Sequence, residues 1–214
     1  MISTLIGTIL KKLKLAGPDP LTSMDEAIGY AERQAAFVSQ FTLYGYIKTR
    51  VGTQYPKLFR DEPFLDSMKI ARWHIFGASV CDVAVFIAAQ LVRAGHAPAT
   101  GEAAASRIIE ALLSKVEQDD ISPKEFRAMI QRGNARAATA NWADLMEGPA
   151  AFQSSADALM RWAPIADELK NQDDEIVRNS IHMKWIGIRR EIKEIIVPDQ
   201  ICLLYTSPSP RDPT

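Results

Sequence analysis

Cysteine and histidine are both scarce in this chain. Two cysteines and three histidines occur in 214 residues, and one of the cysteines, Cys202, falls in a Pro/Ser-rich tail. The remaining thiol, Cys81, has no partner for an intramolecular disulfide, and Cys/His zinc spacings are absent. His74, His96 and His182 form no E-x-x-H, H-x-x-x-H or H-E-x-x-H pattern. The sequence therefore offers neither the helices of a carboxylate-bridged di-iron bundle nor a zinc-protease helix. Gly-x-Gly does not occur, which removes the Gly-rich phosphate loops. No stretch alternates apolar and polar residues between turn signals, so no strand is predicted. An excess of one charge is lacking too, and a net charge of −1 exerts no general pull toward nucleic acid or anionic lipid. From these absences we expect no metal, no cofactor and no nucleic-acid partner. The sparse thiols fit a reducing, cytoplasmic compartment.

What is present has helical period. Apolar residues make up 47% of the chain and charged residues 24%, the mix of a soluble globular protein. A chain of this length buries roughly 70% of its unfolded surface and needs no cross-link to stay folded. Ser23-Met-Asp-Glu26 is a capping box opening a helix that runs to about Val51, before Gly52. Tyr30, Phe37, Phe41 and Tyr44 form one stripe on it, beside Ile28, Ala31, Ala35 and Val38, a wide face that predicts a central position. A second long helix starts near Asp61 and Pro63 and ends before Gly95, and a third opens at Thr100 or Gly101. Ser122-Pro-Lys-Glu125 is another capping box, with proline where its missing N–H costs nothing. That helix is expected to pause at Gly133-Asn134, with a short one following to about Glu147. Two more cover roughly 154–170 and 172–196, Pro164 kinking or splitting the first. The expected architecture is all-α, a single irregular bundle of six to eight helices without a sheet, formed by residues 22–197.

The two ends stand apart from that bundle. Residues 1–17 read as a basic amphipathic helix. Ile2, Leu5, Ile6 and Ile9 lie on one face, and Lys11, Lys12 and Lys14 on the other with no acid. Such a helix either docks on the bundle or lies in a membrane interface with its lysines against anionic headgroups. Residues 202–212, Cys202-Leu-Leu-Tyr-Thr-Ser-Pro-Ser-Pro-Arg-Asp212, resemble the translation of a transposase-type sequencing adapter residue for residue. Residues 202–214 are accordingly read as an artefactual, disordered tail, with the native C-terminus expected near Gln200.

Candidate chemistry is thin. Residues 73–92 have the length of a membrane span, but Asp82 at the middle costs about 2.5–3.5 kcal/mol there. A buried central helix is favoured, with Asp82 an interior acid that needs a partner from another helix. Gly77-Ala-Ser-Val-Cys81 carries half of a G-x-S-x-G elbow. Ser79, Asp82 and His74 are thus the candidate catalytic residues, although His74 and Ser79 point about 140° apart on a helix. Cys81 is expected to be a buried, inert thiol. Tyr44, Tyr46, Lys48, Arg50 and Tyr55 mix aromatic faces with cations around a Gly-containing linker. They either bind a planar or anionic ligand, or end a helix in the ordinary way. Arg161, Trp162, Asp167 and Glu168 around Pro164 admit the same two readings. Lys124, Arg127, Arg132 and Arg136 form one basic patch, and Arg178, Lys184, Arg189, Arg190 and Lys193 another.

Two strings have a likeness elsewhere. Phe37-Val-Ser-Gln-Phe-Thr-Leu-Tyr-Gly-Tyr-Ile-Lys-Thr-Arg-Val-Gly-Thr-Gln-Tyr-Pro56 resembles a segment of an uncharacterised family of small, all-helical alphaproteobacterial proteins. Arg161-Trp-Ala-Pro-Ile-Ala-Asp-Glu-Leu-Lys170, continuing through Asp174-Glu-Ile-Val-Arg-Asn-Ser-Ile181, resembles it as well. Some members carry the label esterase, which implies a small-ester hydrolase but assigns no catalytic residue. The residues themselves favour a binding or interaction module with an unidentified protein or small-molecule partner. Contact with an anionic membrane surface through residues 2–15 is a further expectation.

Overall fold

The structure, a computed structural model, describes residues 18–114, 120–147 and 149–203. Among them are nine α-helices: α1 (Met24–Val51), α2 (Tyr55–Leu58), α3 (Glu62–Arg93), α4 (Pro98–Leu113), α5 (Pro123–Ala138), α6 (Trp142–Glu147), α7 (Ser154–Trp162), α8 (Asp167–Ile195) and α9 (Pro198–Leu203). Six are long enough to build the bundle; α2, α6 and α9 have only four to six residues. No strand occurs among the described residues. One isolated bridge ties the two ends of the bundle, where Leu21 donates to Ile195 O at 2.8 Å and Val197 donates to Leu21 O at 2.9 Å.

Both capping boxes form as the sequence predicts. Glu26 N–H donates to Ser23 Oγ and Ser23 N–H to Glu26 Oε2, at 3.2 and 3.0 Å. The Ser122/Glu125 pair repeats this at 3.3 and 3.1 Å, with Pro123 in the first position. Asp61 caps α3 by accepting Phe64 N–H at 3.0 Å. Gly52 ends α1 at φ +55°, a backbone region that favours glycine.

The centre of the molecule is α3, which packs against α1, α4, α5, α6 and α7. Every residue from Ser79 to Leu91 is buried, which explains the missing polar face in its sequence. This helix is long and apolar enough to cross a membrane, but 83% of its most apolar window is buried inside the protein. The neighbours show the usual one-sided stripe. On α8, Val177, Ile181, Trp185, Ile188, Ile192 and Ile195 recur at three- and four-residue steps and are buried.

Four sequence expectations need correction. The wide aromatic face does not make α1 central: Tyr30 is buried, but Phe37, Phe41 and Tyr44 are exposed. Its alanine and valine side supplies the packing, because periodicity gives the width of an apolar face and not which part a neighbour covers. No pause interrupts α5 at Gly133-Asn134. Gly133 is there for packing, since a Cβ on it would stand 2.7 Å from Cys81 Sγ and 3.0 Å from Ile109 Cδ1. Pro164 splits the chain as one of the two expectations had it, with α7 ending at Trp162, but the expected boundary at 170–172 is absent and α8 runs without interruption from Asp167. Lastly, α4 begins at Pro98, two residues before the earliest expected start.

Candidate functional site

Three helices enclose a cleft of about 410 Å³. Each contributes residues at helical spacing: His74, Gly77, Ala78 and Cys81 from α3; Glu125, Met129, Arg132 and Arg136 from α5; Ser154, Asp157, Ala158, Arg161 and Trp162 from α7. Gly77 lets α5 approach α3, because a Cβ on it would come within 2.6 Å of Met129 Sδ.

One wall is a ring stack. The His74 imidazole lies parallel to the Trp162 indole, centroids 3.5 Å apart and planes within 4°. His74 is buried, and its Nε2 has no hydrogen-bond partner; the nearest acid oxygen, Glu125 Oε1, is 3.6 Å away. Burial is the main influence on this imidazole and pushes its pKa below the ordinary histidine value. Glu125 opposes that shift, whereas the positive charges of Arg132 and Arg161 add to it.

The two rim arginines are exposed. Arg132 has no ion pair or hydrogen bond among the described residues. The Arg161 guanidinium lies 5.5 Å from the Trp162 ring centroid. The acids around them are engaged elsewhere: Asp157 pairs with Arg178 at 2.5 Å, and Glu125 closes the cap of its own helix.

At the inner end, Asp82 meets its partner. Its carboxylate accepts Arg136 Nη1–H at 2.5 Å, Ser154 N–H at 3.2 Å and Ser155 N–H at 2.8 Å. No side chain of its own neighbourhood caps α7. Asp82 takes that role from across the core, placing negative charge where the helix leaves N–H groups unsatisfied. Arg136 also donates to Ser154 Oγ at 2.7 Å and to the carbonyls of Ala150 and Ala151 at 3.1 and 2.8 Å. Trp185 Nε1–H extends the network to α8 by donating to Ser155 Oγ at 3.0 Å. Burial raises the Asp82 carboxyl above the usual carboxylate range, while Arg136 and Ser155 pull it back.

The candidate catalytic residues do not assemble. Ser79 is buried with no partner for its Oγ, Asp82 is committed to Arg136 and the start of α7, and His74 faces Trp162. No hydrogen bond joins the three. Cys81 is buried, and loss of hydration together with the neighbouring Asp82 pushes its thiol up to about 12.

The Tyr44–Tyr55 cluster divides. Tyr46 Oη–H donates to Asp173 Oδ2 at 3.0 Å, and Arg50 Nε pairs with the same oxygen at 3.0 Å, fastening α1 to α8. Tyr44 packs on Phe59 with centroids 5.8 Å apart, Lys48 is exposed, and Tyr55 opens α2. The second basic patch also makes joints: Lys193 pairs with Glu147, as does Arg93 of α3, and Arg178 pairs with Asp157 and Asp174. The residues expected at a membrane, Ile2, Leu5, Ile6, Ile9, Lys11, Lys12 and Lys14, lie outside the described residues, as do 204–214 of the tail. Cys202 and Leu203 close α9. Among the described residues, no group of three or more His, Cys, Asp and Glu side chains is placed to hold a metal.

The chain matches no protein-family model, no curated protein and no solved structure.

Proposed function

We propose that the protein is a binding module that takes a small molecule into the cleft between α3, α5 and α7. The observation that carries this reading is the wall of the cleft, a buried histidine without a hydrogen-bond partner stacked on a half-buried tryptophan. Proteins place such groups where few polar atoms orient a guest within a mostly apolar hollow, and the volume lies in the range of small-molecule sites. A saturation-transfer NMR screen with a fragment library tests it. Fragments that bind the protein and no longer bind a Trp162→Ala variant support the reading; hits unaffected by that change contradict it.

A second reading, contact with an anionic lipid surface, is favoured by a different feature. Phe41 and Met183 are 51% and 69% exposed, on the adjacent helices α1 and α8. Lys184 Nζ lies 3.9 Å over the Phe41 ring. Exposed aromatics and methionine beside lysine suit an interface, and the basic amphipathic sequence of residues 2–15 would add to it. Flotation with phosphatidylserine vesicles, compared between the full chain and a Phe41→Ser variant, tests this reading. Flotation that is absent, or unchanged by the substitution, contradicts it.

A further inference from the structure

The charges around the cleft are unevenly committed. Five charged side chains line it: Glu125, Asp157, Arg132, Arg136 and Arg161. Both acids have other work, Asp157 with Arg178 and Glu125 in the cap of α5. Arg136 is bound to Asp82 and to two carbonyls. What is left for a guest is Arg132, which has no ion pair or hydrogen bond among the described residues, and Arg161, which is held only against the Trp162 ring. They come from α5 and α7, two of the three helices that line the cleft. Both also act on His74, disfavouring a second positive charge there, so their field extends to the wall of the cleft. The rest of the lining is mixed, and Ala78, Met129 and Ala158 supply part of its apolar surface.

We infer that the ligand is a small organic anion with an apolar body, its charged end held between Arg132 and Arg161 at the mouth of the cleft. This rests on the reading of the cleft as the binding site and adds the ligand's chemical class. Guanidinium offers paired N–H donors that match a carboxylate or a phosphate, and such charge-assisted bonds strengthen where water is partly excluded. The apolar end then lies along Met129 and the Trp162 edge, so the anion enters tail first and neutralises the rim.

Isothermal titration with three probes tests the class: benzoate, phenyl phosphate and uncharged benzamide. One anionic probe or both should bind at least about tenfold more tightly than benzamide, the scale of one charge-assisted contact. That preference should fall as salt is raised. It should disappear in an Arg132→Gln/Arg161→Gln double variant whose thermal unfolding is unchanged, since both side chains are exposed. Benzamide binding as tightly as the anions, with the Trp162 indole signal moving, overturns the anion class and leaves the cleft reading standing. A preference for anions that survives in the double variant overturns it as well. So does a failure of all three probes to bind, and the fragment screen then decides separately whether the cleft takes any guest.

Discussion

Asp82 caps a helix to which it does not belong: its Oδ2 accepts the backbone N–H of Ser155 at 2.8 Å, across the core from the middle of α3 to the start of α7. Arg136 completes the joint from α5 by bonding the other oxygen. A buried carboxylate in an apolar run is costly alone, and here it has a guanidinium and two backbone donors. It also fixes one wall of the cleft, because Arg161 and Trp162 lie two turns further along α7.

Breaking that joint from either side has unequal effects. Arg136→Met leaves the Asp82 carboxylate buried without its counter-ion and should cost about 3–5 kcal/mol. Asp82→Asn removes the charge along with its need for a partner and should cost less, about 1–3 kcal/mol. The double variant should lose less than the two single losses combined, because the lone buried charge is gone. Urea unfolding of the four proteins measures this; additive losses contradict the coupling.

Two glycines on facing helices should respond differently to alanine. At Gly133 the new methyl meets both Cys81 Sγ and the fully buried, β-branched Ile109, and we expect a loss of about 1–3 kcal/mol. At Gly77 it meets only the Met129 thioether, which is flexible and lines the cleft. Gly77→Ala should therefore change stability less and ligand binding more. Thermal unfolding and titration of both variants provide the comparison, and equal stability losses contradict it.

Acid should weaken the fold in two stages. The His74 pKa is lowered in the folded protein from a reference of 6.5. The unfolded chain thus takes up that proton first as the solution is acidified. Stability from this group is complete above pH 6.5 and declines as pH falls toward the folded value. Glu26 and Glu125 are lowered from 4.5 by the serine and threonine donors of their caps. Their contribution is present above pH 4.5 and fades below it. Stability measured against pH should show the upper decline in the natural protein and not in a His74→Phe variant. An identical slope above pH 4.5 in both proteins contradicts the assignment.

Cys81 should be inert while the protein is folded. Its thiol is pushed up to about 12 and is buried beneath Gly133, so little thiolate forms near neutrality. In a Cys202→Ser background, labelling by a chromogenic disulfide should wait for unfolding in denaturant. Rapid labelling of the native protein contradicts this.

Much of the framework was legible because it is local. Capping boxes at Ser23 and Ser122, Pro123 in its first-turn position and the 3.6-residue stripes fix most helix limits from neighbours in sequence. The need of Asp82 for a partner on another helix was legible too, since charge inside an apolar run has few solutions. Its identity was not, because Arg136 is 54 residues away and nothing in the sequence sets it apart from Lys124, Arg127 and Arg132. The cleft was hidden for the same reason: Arg132 lay in a basic patch, Arg161 and Trp162 in the cluster around Pro164, and His74 in an apolar run. Only the approach of α5 and α7 to α3 brings them together, and Gly77 and Gly133, which allow part of it, read as half of a nucleophile elbow and as a helix break.

The most direct test of the account follows the four indole N–H signals of Trp73, Trp142, Trp162 and Trp185 by two-dimensional NMR while benzoate and, in a second titration, phenyl phosphate are added. Trp162 stands in the cleft, and Trp185 is tied to Ser155 in the core. A saturable shift of the Trp162 signal, with the other three in place, is the predicted result. Movement of the other indoles while Trp162 stays still, or no movement with either anion, would contradict it.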